Sequence, residues 1–159
     1  MFWRFILLCL PVCTAYQYHW KTLGIMRNNY RLSRPYDSSI LDPKIDCYIN
    51  NILTIRKNKT LYEKMVKKVK QVFETHKNLK LDVVKIDCHL NNFSFHWKID
   101  IFAFQRLFHV HGCSIYDTND VGAVLKHSII YEKMSIAPNA KKEFYVHPKL
   151  FRPVRVEKT

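Results

Sequence analysis

Glycine, proline and acid are all scarce in this chain. Three glycines and six prolines among 159 residues, against 48 % hydrophobic and 14 % aromatic residues, exclude a disordered composition and argue for a folded core. A chain of this length holds one domain and buries roughly 68 to 70 % of its unfolded surface, so it needs neither metal nor disulfide to fold. The five cysteines form no C-x-x-C pair, and no H-E-x-x-H spacing occurs. With Cys9 and Cys13 near the start set aside, Cys47, Cys88 and Cys113 remain, an odd set that reads as buried small hydrophobes. Internal repeats and low-complexity segments are also missing. The apolar run Phe5 to Val12, interrupted by Pro11, is too short to span a bilayer.

What is abundant is basic charge. Lysine and arginine number 26 against 13 acidic residues, a net +13. Arg4, Lys21, Arg27, Arg31 and Arg34 all precede the first acidic residue, Asp37, and the tail from Lys141 to Thr159 carries six basic residues against Glu143 and Glu157. Such a field suits an anionic partner: RNA, an anionic membrane or ribosome surface, or an acidic protein face. The plainer alternative is a solvated helix face.

The start reads as a signal or targeting segment over residues 1–15. Met1-Phe-Trp-Arg4 gives a positive opening, Phe5 to Val12 the apolar stretch, and Cys13-Thr14-Ala15 the small residues of a cleavage site. Tyr16 to Arg34 is basic and acid-free, as an organelle transit segment is. It reads equally as the first helix of the domain, because Trp20, Leu23, Met26 and Tyr30 recur at helical spacing. The expected address is an organelle, plastid or mitochondrion. Delivery to the secretory pathway is the alternative, and would make the sequons Asn58-Lys-Thr60 and Asn92-Phe-Ser94 glycosylation sites.

Downstream, Tyr36 to Pro43 is a turn-rich loop leading into a strand at Lys44 to Ile49; Asn50-Asn51 turns the chain into Ile52 to Arg56. The clearest helix runs from Thr60 to His76. Thr60 with Glu63 makes a capping box, and Leu61, Met65, Val69, Val72 and Phe73 form its apolar face. Strands follow. Leu79, Leu81 and Val83 give way to Val84, Ile86 and Cys88, a phase shift that predicts a bulge. Phe93, Phe95, Trp97, Ile99 and Ile101 alternate with Ser94, His96, Lys98 and Asp100, the pattern of a strand with one apolar face. Leu107 to Tyr116 and Ala123 to Met134 complete an antiparallel meander. This order is α+β, a curved antiparallel sheet wrapped over helices into a cone. The domain spans 16–134 and a basic tail that wraps the surface spans 135–159.

The loop and strand from Tyr36 to Lys44, the helix start Asn58-Lys-Thr-Leu-Tyr62, and the later segments Phe95-His-Trp97, Gly112-Cys-Ser114-Ile-Tyr116 and Asp120-Val-Gly122-Ala-Val124-Leu-Lys-His127 carry a resemblance. In their order and spacing the chain, from about Trp20 to Met134, resembles the nuclear transport factor 2-like (SnoaL-like) superfamily, and within it the branch found in plastids and mitochondria. That superfamily includes isomerases, dehydratases and epoxide hydrolases beside non-catalytic binding domains, so fold does not decide activity. The resemblance implies an apolar cone pocket and a habit of dimerising through the outer sheet face. Catalytic members tend to carry a carboxylate two residues after the position of His127; Ile129 stands there instead.

Three functional readings follow. In the first, the domain is a non-catalytic organellar binding or scaffold module, with Trp97, Tyr116 and His127 lining a pocket for a small ligand or peptide. In the second, it is a lyase or isomerase in which a turn near Gln105 brings Asp100 opposite His111 as an acid–base pair. The third is an RNA-binding accessory protein, whose affinity falls steeply with salt. His109, His111 and Cys113 share one strand face, with His127 expected near Cys113. These are ligand types for zinc, but the spacing favours structural histidines, and neither metal nor cofactor is expected. Apolar residues on both faces around Ile101 to Phe104 fit a homodimer.

Overall fold

The computed structural model describes residues 18–137 and two further short strands, Glu143–Val146 and Pro153–Arg155. The targeting segment expected over residues 1–15 and most of the tail lie outside the described residues.

A helix, α1, occupies residues 18–29. Leu23 and Met26 bury themselves in the core, as their spacing predicts, whereas Trp20 stays mostly exposed. Thr22 anchors the helix to a distant turn: its hydroxyl donates to the Gly122 carbonyl at 2.7 Å. Gly122 has φ +78°, and a Cβ there would lie 3.0 Å from the Thr22 hydroxyl and 3.1 Å from the Tyr18 carbonyl oxygen, so both backbone and space require glycine. After α1 the chain folds back on itself through Asn29, whose amide bonds the Asp37 backbone in both directions at 2.8 Å.

β1 (Leu41–Ile49) and β2 (Ile52–Ile55) form the hairpin expected from Asn50-Asn51, whose φ values of 48° and 65° suit asparagine. α2 (Lys59–Thr75) follows, then β3 (Leu79–Cys88), β4 (Asn92–Ala103), β5 (Arg106–Thr118) and β6 (Val124–Ala137). The main path of the sheet runs β2-β1-β6-β5-β4-β3. β1 lies parallel to β6 and all other neighbours are antiparallel, so the sheet is mixed. The expected tail boundary at 134 falls inside β6. The chain then adds β7 (Glu143–Val146) to β6 and β8 (Pro153–Arg155) to β7.

Bulges curl this sheet. One sits where the phase shift predicted it, at Val84, so that Val83 and Ile86 both face inward while Val84 is exposed. Others interrupt the β5–β6 ladder after His111 and after Asp117. The hollow face then holds Phe93, Phe95, Tyr116, Cys47 and Val124 in one cluster with Leu23 and Met26 of α1.

Two details of α2 differ from expectation. Its N-cap is Asn58, whose Oδ1 accepts the Leu61 backbone N–H at 2.9 Å, and not a Thr60–Glu63 capping box. The box fails because Thr60 already lies within the first turn. Its inward residues are Tyr62, Met65 and Val66; Leu61, Val69 and Val72 are 48, 50 and 41 % exposed. Helical spacing located a stripe, but not which edge of it meets the sheet.

Candidate functional site

Because α2 seats on the sheet mainly through Tyr62, its later turns stand over the hollow face and border an open-mouthed cavity of about 290 Å3. Each element contributes at its own period. β6 sends in His127, Ile129 and Tyr131, β5 sends Ser114 and Tyr116, and β4 sends Trp97 and Ile99. α2 supplies Tyr62, Met65, Val66, Val69 and Phe73, and α1 with the following loop supplies Met26, Tyr30 and Tyr36. The three pocket residues singled out in the sequence, Trp97, Tyr116 and His127, therefore line one cavity.

The walls are apolar and the floor carries hydroxyls and one imidazole. Tyr62 Oη lies 2.8 Å from His127 Nδ1, and the Tyr30 and Tyr116 hydroxyls meet at 2.9 Å. The Tyr116 ring stacks on His127 at 4.1 Å and Tyr30 stacks on Phe95 at 4.8 Å. Trp97 Nε1 donates to Ser114 Oγ at 3.1 Å. Burial dominates the protonation of this group. It lowers the His127 pKa from 6.5 to about 3, raises Tyr30 to about 12, and pushes Tyr36, Tyr62 and Tyr116 up as well. At neutral pH the floor is uncharged. Two of its polar atoms have no well-formed hydrogen bond among the described residues: His127 Nε2 and the Tyr36 hydroxyl, which lies beside that of Tyr62.

At the rim, Lys70 donates to the Arg34 carbonyl, and burial lowers its pKa. Among the described residues, none that lines the cavity is an aspartate or glutamate.

Asp100 and His111 do not meet. The β4–β5 loop consists of Phe104 and Gln105, so Ala103 faces Arg106 and Asp100 pairs with His109 instead. Asp100 Oδ1 lies 2.6 Å from His109 Nδ1 and 3.3 Å from Lys98 Nζ. His111 pairs with Lys98 and Lys133, and burial followed by the Lys133 charge lowers its pKa. By alternation Asp100, His109, His111 and Cys113 occupy the sheet face opposite the cavity, and none of them lines it. His127 pairs with Tyr116, and Cys113 with His96 and Ile130, so the expected His127–Cys113 approach does not form. Among the described residues no three His, Cys, Asp or Glu side chains gather where a metal ion could be held.

Sequence reasoning missed Tyr30, Tyr36 and Tyr62 as site residues. The signal existed for Tyr62, which closes the Asn58-to-Tyr62 helix start, and for Tyr30, the last of the α1 periodic positions. Nothing local marks Tyr36, which reaches the cavity only through the Asn29–Asp37 fold-back.

No protein-family model matches the chain, and no curated protein matches it in sequence. Solved structures match it in fold. A nuclear transport factor 2-like protein of unknown function from Cytophaga hutchinsonii superposes with TM-score 0.58 at 13 % identity, over 71 % of this chain and 97 % of that one. AclR from Streptomyces galilaeus gives 0.51 at 14 % identity, over 71 % of this chain and 79 % of that one. An epoxide hydrolase of the LEH-like kind from M. tuberculosis gives 0.50 at 8 % identity, over 73 and 84 % respectively. These likenesses establish the nuclear transport factor 2-like α+β cone.

Proposed function

We propose that this chain is a binding domain that takes an apolar small molecule into its cone, without turnover, and that its N-terminal segment delivers it to an organelle. The observation that carries the binding reading is the cavity itself. Its volume of about 290 Å3 is walled by Met65, Val66, Phe73, Ile99 and Ile129. That is close to the lower end of the ~300–1,000 Å3 typical of small-molecule sites, which are likewise apolar with a few placed polar groups. An α+β core of this size does not leave such a space open by packing necessity.

The lyase or isomerase reading rested on Asp100 beside His111, and that pair is neither formed nor directed at the cavity. Ile129, in the position where a carboxylate is the catalytic habit of the superfamily, lines the wall as an apolar residue.

The test uses the uncharged fluorescent probe N-phenyl-1-naphthylamine. Saturable binding with a fluorescence rise is expected, together with a thermal stabilisation that grows with probe concentration. Ile129→Trp, which places an indole in the space, should abolish that binding while the domain still unfolds cooperatively. Absence of saturable binding to the wild-type chain would sink the proposal.

A further inference from the structure

We propose that the tip of the β4–β5 hairpin docks on an anionic lipid bilayer, with Phe102 and Phe104 inserted among the lipids and Lys77, Lys80 and Arg106 set against the headgroups. The proposal is independent of what fills the cavity. It begins from a residue that does not suit its own place in the fold. Phe104 takes φ 52° and Gln105 φ 59°, left-handed backbone that is easy for glycine or asparagine and costly for an aromatic residue. Burial of the ring would offset that cost, but Phe104 is 93 % exposed, and Phe102 is 57 % exposed. Asn-Gly would make the same turn without strain. Two large apolar rings held in water at a strained turn stabilise nothing inside the domain, so their use lies outside it.

The hairpin carries these rings past its neighbours. β3 pairs with β4 as far as Ile101, and β6 pairs with β5 as far as Leu107, so the turn from Ala103 to Arg106 stands beyond both flanking strands. At its base, the Phe102 N–H donates to the Asn78 carbonyl at 2.9 Å, and the Asn78 side-chain amide donates to the Phe102 carbonyl at 3.2 Å. Those bonds tie the connection between α2 and β3 to the hairpin. Exposed Lys77 comes with it, Lys80 follows at the start of β3, and exposed Arg106 closes the turn. No acidic residue occurs from Thr75 to Leu81 or from Ile101 to Tyr116. The carboxylates next along β3 and β4 are already engaged: Asp82 by Lys80 at 2.9 Å, and Asp100 by His109 at 2.6 Å and Lys98 at 3.3 Å. The Lys80–Asp82 pair is solvent-exposed and therefore weak.

Charge and shape together select the occupant. Aromatic rings at the end of a narrow finger, with cations set around its base, match a surface that is apolar within and anionic at its edge. A protein partner would need a pocket cut to the finger and a broad complementary surround. A fluid bilayer needs neither, and long lysine and arginine side chains reach its phosphates while their stems stay in the apolar layer. Two rings alone hold a protein to lipid only reversibly, so rings and cations have to act together.

The experiment uses the full chain and vesicles of equal parts phosphatidylcholine and phosphatidylserine. The wild type should sediment with these vesicles and bind pure phosphatidylcholine far more weakly. The double substitution Phe104→Asn with Gln105→Gly keeps every charge and relieves the turn, yet should bind the anionic vesicles about tenfold more weakly or worse, the scale of one buried ring. Lys77→Gln and Arg106→Gln should each weaken binding about fivefold. Equal binding by the double variant overturns the proposal, because diffuse positive charge would then suffice. Phe104→Trp supplies a second readout at the tip itself. Its emission, taken as the difference from wild type, should shift to shorter wavelength and be quenched by dibrominated phosphatidylcholine in the vesicles. An unquenched difference on vesicle-bound protein overturns the proposal, whichever other segment carried the chain down. Sedimentation velocity without lipid covers a second copy as occupant: a dimer that the double variant dissociates would assign the tip to self-association and overturn membrane docking. Saturable binding of N-phenyl-1-naphthylamine alongside a failed vesicle assay would leave the cavity reading intact.

Discussion

Gly112 shows how one absent side chain shapes the site. A Cβ at this position would sit 2.3 Å from Trp97 Cη2, 2.4 Å from Cζ2 and 2.6 Å from the Ile130 carbonyl oxygen. The indole therefore lies directly over the β5 backbone, where its Nε1 reaches Ser114 and its edge meets Tyr131 at 5.4 Å. Gly112→Ala should destabilise the domain by about 1–3 kcal/mol in urea unfolding, the usual cost of overpacking. Adding Trp97→Phe should recover only part of it, because the Ile130 carbonyl remains in the way. His127 governs the second prediction at this scale. With its pKa lowered from 6.5 to about 3, the unfolded chain binds a proton between those values that the folded chain refuses. The stability tied to neutral His127 is whole above pH 6.5, falls as pH drops below that value, and is gone by about pH 3. His111, also lowered, acts in the same direction, so the measurement is a difference. Between about pH 7 and about pH 5 the wild type should lose about 2 kcal/mol more than His127→Gln. Equal losses would mean that the imidazole is not held neutral by burial.

At the scale of elements, the legible parts are those where local chemistry and tertiary structure agree. The β1–β2 turn announced itself through Asn50-Asn51, the β3 bulge through its broken alternation, and the β4 core face through Phe93, Phe95 and Trp97. The same alternation placed Trp97, Tyr116 and His127 on the cavity side. The β4–β5 register was misread for a physical reason. Its turn is made by Phe104 and Gln105 at φ 52° and 59°, a left-handed pair that normally selects Asn-Gly, so the sequence carries no turn signal there. That displaced Asp100 from His109 to His111 and created an apparent acid–base pair. Phe104, 93 % exposed, gains nothing from burial to offset the strain. Replacing Phe104-Gln105 by Asn-Gly should stabilise the hairpin by about 1 kcal/mol or more, measured by thermal or urea unfolding. The α2 cap offers a sharper contrast. Asn58→Ala should cost about 1 kcal/mol. Thr60→Ala should be near neutral in the same assay, because the Leu61 N–H bonds Asn58 Oδ1. A reversed order would restore the capping box.

For the molecule as a whole, the question is where the address ends and the domain begins. The acid-free stretch Tyr16 to Arg34 fits both a transit segment and a helix, and composition cannot separate them because a basic amphipathic helix satisfies each. The fold weighs on that ambiguity. Leu23 and Met26 are core residues, Thr22 bonds the Gly122 turn, and Tyr30 stacks on Phe95 while its hydroxyl meets Tyr116. Removing residues through Arg34 would therefore strip one wall from the core and open the cavity. Losing even single buried side chains of this kind costs about 2–5 kcal/mol each, comparable with the whole stability of a small domain. Under the proposed delivery to an organelle, the cut falls ahead of Tyr18 and leaves α1 in the mature protein. A chain starting at Tyr36 should show no cooperative unfolding transition and no probe binding. Mass spectrometry of the protein recovered from its source cells should place the mature N-terminus at or before Tyr18. A folded, probe-binding mature form that begins at or beyond Tyr36 would show that the helix is dispensable, and the cavity would then have to be closed by other residues.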